Sequence, residues 1–159
     1  MLDAFDITLL NAVQIDDGRT ADQLSADIAL SPSAIARRLR RLRSDGWIAR
    51  TIALLPARII DRRLRALVFI QLKEHADLAA KKALQRAILD APGVLLCFEI
   101  SGNFDLVLLT DAPHMAAFNA TTATVIENNA AVQRYETSFV KRQVKFAPAV
   151  TLDAGAVAG

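Results

Sequence analysis

Apolar positions in the first forty-five residues recur at three- and four-residue spacing, and breakers divide that pattern into three short helices. Ile7, Leu10 and Val13 form the first stripe, which Asp16-Asp17-Gly18 ends. Thr20 with Gln23 three residues later is a capping-box pattern, opening a second helix through Leu24 and Ile28. Ser31-Pro32 supplies a cap and a first-turn proline, so a third helix is predicted over 32–44, with Asp45-Gly46 as its stop. Residues 47–54 predict a strand, closed by Pro56. A helix, a turn, a second helix and a strand outline a winged helix-turn-helix domain over 1–55. A basic linker of undefined structure, 56–65, follows it.

From Ala66 the period changes. Strands are predicted over 66–73, 94–100, 104–110 and 132–145. A helix over 77–90 carries Leu84, Ala87 and Ile88 on one face, and a second, opened by Asp111-Ala112-Pro113, carries Met115, Phe118, Thr122 and Val125. Ser101-Gly102-Asn103 is a hairpin signal between the middle strands. The order β-α-β-β-α-β is the ferredoxin-like arrangement, an antiparallel sheet with both helices on one face, here over 66–146. The fold class is therefore α+β. The open sheet face needs a cover, and a second copy of the same domain is the simplest one. Residues 147–159 are small and apolar, the composition of a flexible tail.

Composition adds exclusions. With 53% hydrophobic residues and few Gly and Pro in 159, the chain is neither disordered nor low-complexity. No apolar run exceeds five residues, so none spans a bilayer, and Asp3 and Asp6 stand where an export signal would be basic. A cytoplasmic protein is expected. The lone Cys97, mid-strand between Leu96 and Phe98, reads as a buried small hydrophobe. His75 and His114 have no cysteine, serine or carboxylate at triad or metal spacing and read as surface histidines. No catalytic residue, metal site or cofactor is expected.

The net charge of +2 conceals an uneven distribution. Residues 32–65 hold ten arginines against Asp45 and Asp61, a local excess of +8, and no lysine precedes Lys73. Arginine's planar fork suits phosphate and guanine, whereas a merely solubilising surface mixes in Lys and Glu. On a wheel of about 100° per residue, Ile35, Leu39 and Leu42 form one stripe of the third helix. Ser33, Arg37, Arg40 and Arg41 share the opposite face, with Arg38 and Arg43 on the flanks. That is the geometry of a recognition helix in a major groove of double-stranded DNA. Candidate DNA contacts are Ser31, Ser33, Arg37, Arg38, Arg40, Arg41, Arg43 and Arg50, with Arg50 and the linker arginines aimed at phosphates.

Three stretches then carry a family resemblance: Leu2-Asp3-Ala4-Phe5-Asp6-Ile7-Thr8-Leu9-Leu10, Leu30-Ser31-Pro32-Ser33 through Arg40 to Ile48, and Ser101-Gly102-Asn103-Phe104-Asp105. In this order and spacing the chain resembles the Lrp/AsnC (feast/famine) transcription regulators over about residues 2–146. The resemblance implies a C-terminal domain of the RAM type, a homodimer formed through it, often assembled further into octamers, and an amino acid or similar small effector bound between C-terminal domains. It also implies an effector turn. Gly102 would give the tight bend, Asp105 a carboxylate for an α-ammonium group, and Ser101, Asn103 and Phe104 further turn contacts, while Thr137 matches a threonine position on the last strand. The chain departs from the family's usual Gly-Asp with Gly102-Asn103, which removes a negative charge, and from its aromatic residue with Leu106. Some relatives of this layout are tetrapyrrole (sirohaem) decarboxylases relying on histidines, but the corresponding strand here reads Leu96-Cys97-Phe98-Glu99. Phe104, Tyr135 and Phe139 offer an RNA-stacking platform as a further alternative, against which dimerisation through that sheet face is the more economical use.

Overall fold

The computed structural model describes residues 1–153, and the chain divides into two units, Leu55–Val144 on one hand and Met1–Leu54 together with the segment from Lys145 on the other. The first unit holds α1 (Ala4–Ile15), α2 (Ala21–Ser25) and α3 (Pro32–Ser44). Each begins on a side-chain cap. Asp3 and Asp6 form a capping box on α1, Thr20 and Gln23 another on α2, and Ser31 accepts from the Ala34 N–H on α3. Such caps satisfy amides that the first turn leaves without partners. Leu9, Leu10, Leu24, Ile28, Ile35, Leu39 and Leu42 interlock as one buried core. Gly46 takes a left-handed φ of +79° where α3 has ended, the conformation that favours glycine at that place.

Two expectations are corrected here. The strand predicted over 47–54 does not form: among the described residues this unit contains no strand, and residues 49–55 are exposed. A strand's hydrogen bonds need a partner segment, which sequence alternation alone does not supply. α2 also stops at Ser25, and the chain reaches the still-buried Ile28 through turns.

The second unit runs α4 (Ala57–Ile60), β1 (Leu64–Leu72), α5 (Leu78–Asp90), β2 (Val94–Glu99), β3 (Leu106–Ala112), α6 (Met115–Thr122), a π-helical turn (Ala123–Glu127) and β4 (Val132–Phe139). The sheet is antiparallel in the order β2-β3-β1-β4, the ferredoxin-like order expected. Strict alternation along β1 and β3 sends Ala66, Val68, Ile70, Leu106 and Leu108 toward the helices, where they meet Leu84, Ile88, Phe118, Val125 and Ile126. The other face carries Leu67 and Phe69 of β1, Val107 and Leu109 of β3, and Phe98 of β2.

Register corrects the reading of the aromatics. Tyr135 pairs with Ile70 and Phe139 with Ala66, so both point to the helix-covered face. Phe139 meets Phe118 edge-on at 5.3 Å between ring centroids, and the Tyr135 hydroxyl donates to Glu127. That carboxylate, with burial, raises the phenol's pKa. No stacking platform of Phe104, Tyr135 and Phe139 exists. Cys97, expected to be buried, is exposed because β2 is an edge strand. β4 ends at Phe139, six residues before the expected 145. Beyond it, Val150 and Leu152, in the segment expected to be a flexible tail, hydrogen bond to α1 of the first unit. The remainder of that segment, 154–159, lies outside the described residues.

Candidate functional site

The exposed face of α3 is built by burying the opposite one. Ile35, Leu39 and Leu42 anchor the helix in the core, which leaves Ser33, Arg37, Arg40 and Arg41 toward solvent. The arginines then separate into two groups. Arg38 binds Asp3 at 2.6 Å and Asp6 at 2.8 Å, and stacks its guanidinium 5.6 Å above the Phe5 ring. Arg41 reaches the other oxygen of Asp6, and Arg43 binds Asp17 at 2.6 Å. Thr51 donates to that same Asp17. By contrast, Arg37, Arg40 and Arg50 are exposed and make no ion pair among the described residues.

Asp6 organises this arrangement. Its side chain is fully buried. Burial alone would raise its pKa, but the Asp3 backbone N–H and the Arg38 and Arg41 guanidiniums more than reverse that and hold it below 3.8. Asp3, near the surface, is lowered by the Asp6 backbone N–H and then by Arg38. The same pairs raise Arg38, Asp3 first and Asp6 second. The charge left over on the helix face is therefore that of Arg37 and Arg40, with Ser33 one turn before Arg37. Ser31 is occupied as the cap, its hydroxyl 3.2 Å from that of Ser33. The sequence reading missed the acidic side of this network. The motif Asp3-x-x-Asp6 was visible, but a wheel gives angles and not partners.

In the second unit Ser101, Gly102, Asn103, Phe104 and Asp105 are contiguous in the β2–β3 turn. Gly102 has φ +129°, which a side chain rarely adopts. A register shift between Gln71 and Leu72 interrupts the β1–β4 ladder, and Asp105 Oδ2 accepts the Leu72 N–H at 2.7 Å. The Asp105 N–H donates to Ile70 O and its carbonyl accepts from Ile100. Asp105 thus fastens the turn to β1 through both backbone and side chain. Phe104 packs on Phe69, centroids 5.6 Å apart, and Arg134 lies 5.0 Å above its ring while binding Gln71 and Glu136. Thr137 is elsewhere, opposite Val68 on the helix-covered face. Arg134 was not singled out from sequence, since nothing local places it beside a turn thirty residues earlier.

A helix-turn-helix unit with a basic helix face, followed by a small antiparallel α+β domain, defines a transcription regulator that carries its own ligand-binding domain. The Lrp/AsnC ligand binding domain matches residues 65–150, and a winged helix-turn-helix DNA-binding domain matches residues 2–49. The leucine-responsive regulatory protein of Escherichia coli is 31% identical over 145 residues, 91% of this chain and 87% of that protein. A transcriptional regulator of Neisseria meningitidis solved with L-methionine superposes with a TM-score of 0.81 at 28% identity, over 94% of this chain and 96% of its own. The feast or famine regulatory protein of M. tuberculosis, also solved with L-methionine, shares the fold with a TM-score of 0.76 at 23% identity, over 96% and 100% of the two chains. The chain belongs to the Lrp/AsnC family of transcription regulators. Among the described residues no helix is long and apolar enough to cross a membrane.

Proposed function

We propose that this regulator binds a specific operator in double-stranded DNA as a homodimer, with α3 in the major groove, and that a small amino-acid effector at the β2–β3 turn tunes that binding. The observation that carries the reading is the division of α3: Arg38, Arg41 and Arg43 are held by Asp3, Asp6 and Asp17, while Arg37 and Arg40, beside Ser33, make no ion pair among the described residues. Held arginines fix the helix, and unpaired ones are available to base edges. Arg50, on the segment after α3, is suited to a phosphate. The apolar sheet face around Phe69, Val107 and Phe98 supports closure by a second copy. The Neisseria relative's complex with L-methionine supports an amino-acid effector. Asp105 Oδ2 is committed to Leu72, so the carboxylate's other oxygen is the one offered to an ammonium group. Relatives bearing regulator names, and Cys97 where the decarboxylases rely on histidine, favour regulation over catalysis.

Duplexes selected from a random pool test the DNA reading. Arg37→Ala or Arg40→Ala should each weaken the selected duplex by about 1–3 kcal/mol while random duplex changes less. Arg50→Ala should weaken both alike. Full affinity in both Arg37→Ala and Arg40→Ala would overturn the base-reading role. A thermal-shift screen of the twenty amino acids tests the effector, since a ligand confined to the native state raises stability by mass action. A uniform null across the twenty removes the amino-acid assignment.

A further inference from the structure

Residues 150–152 lie along α1, and two side-chain amides hold them there. Asn11 Oδ1 accepts the Leu152 N–H at 2.9 Å, and Asn11 Nδ2 donates to Leu152 O at 3.0 Å. Gln14 does the same to Val150, with both bonds at 3.0 Å. Each amide thus satisfies the N–H and the C=O of a single residue, as a neighbouring β-strand would. The spacing makes this possible. Residues three apart on a helix have Cβ atoms about 5–6 Å apart, and alternate residues of an extended chain lie about 6–7 Å apart. The side chain of Leu152 packs against the helix-turn-helix core, and with Pro148 and Val150 it forms one wall of a cavity that Leu10, Val13 and Trp47 also line.

We propose that the face of α1 around Asn11 and Gln14 is a peptide-binding surface whose resident occupant is residues 148–152 of the same chain. Among the described residues, the hydrogen bonds from Asn11 and Gln14 to this strap all fall on strap backbone, so the surface selects a backbone conformation and one apolar side chain at 152. The strap gives the helix-turn-helix unit two covalent connections to the C-terminal domain, one entering that domain near Leu55 and one leaving it near Val144. It steadies α1, whose Leu9 and Leu10 form the bed for Ile35, Leu39 and Leu42 of α3. None of this depends on which operator or effector the protein uses.

The test is a double-mutant cycle on the full chain, read by amide hydrogen exchange. The variants are Asn11→Ala with Gln14→Ala, Leu152→Asp, and all three together. The amide pair and Leu152→Asp should each speed exchange in α1 about tenfold or more, and the combined variant should be no faster than the worse of them, because all remove one contact. Unchanged exchange in α1, or effects that multiply, would overturn the proposal. A cysteine pair identifies the occupant: Gln14→Cys with Val150→Cys, in a Cys97→Ser background. Mild oxidation should give an intrachain disulfide running as a monomer on a non-reducing gel. A covalent dimer as the main product would assign the strap to a second copy and overturn the intrachain form.

Discussion

Asp6 ties the start of α1 to two arginines of α3. It caps α1 through the Asp3 N–H and at the same time neutralises Arg38 and Arg41 of α3 from a buried position. Removing Asp6 leaves Arg38 paired with Asp3 and both guanidiniums open to solvent, so the loss is that of a charged hydrogen-bonding partner. Asp6→Ala should destabilise the helix-turn-helix unit by about 1–3 kcal/mol in denaturant titrations. Both Asp3 and Asp6 have folded pKa values below 3.8. Their contribution is therefore complete above the unfolded value and is lost as pH falls through the folded values. Acid titration should show a stability plateau above about pH 4 to 5 and a decline below it. Asp6→Asn should flatten that decline; an unchanged acid limb in Asp6→Asn would remove Asp6 from the account.

Elements with local stop and start signals were legible in the sequence, and elements that depend on distant partners were not. α3 occupies 32–44 as read, because Ser31-Pro32 and Asp45-Gly46 set its ends without help from the rest of the fold. The order of strands and helices in the second unit was readable for the same reason, through Asp77, Pro92-Gly93 and the 101–103 turn. The strand expected over 47–54 failed because pairing is not a local property. Facing was misread in β4, where the strand's own alternation does not say which side the helices cover; only its register with β1 does. Within the candidate site, the arginine face was legible, while the acids that divide it came from α1 and the loop after it. At the β2–β3 turn, φ +129° at Gly102 yields a prediction. A Cβ there meets nothing within 4 Å, so Gly102→Ala tests backbone conformation alone. It should destabilise the C-terminal unit by about 1–3 kcal/mol, as measured by hydrogen exchange in β2 and β3. A loss no larger than that of an ordinary surface alanine would refute the strain.

At the scale of the whole molecule, a net charge of +2 understates the basic segment and a count of +8 over 32–65 overstates it. Arg38, Arg41, Arg43, Arg63 and Arg65 are each within 4 Å of a carboxylate. Arg37, Arg40, Arg50, Arg58 and Arg62 make no such pair among the described residues. The salt dependence of DNA binding measures the difference. Each phosphate neutralised contributes a slope of about −0.9 in log affinity against log salt. Arg50→Ala should flatten the slope by about one, and Arg43→Ala, whose charge Asp17 already holds, by less. Equal changes in the two variants would contradict the division of charges.

The backbone route of the first unit also sets a timetable. α1 is made before the residues that hydrogen bond to Asn11 and Gln14, which follow those two by 141 and 136 positions. During synthesis the three helices leave the ribosome well before residues 148–152 exist, and the whole ferredoxin-like unit is translated in between. A nascent chain that has not reached residue 148 therefore carries a helix bundle with the amides of Asn11 and Gln14 open to water. The helix-turn-helix unit gains its last described contacts only once residue 152 has been made.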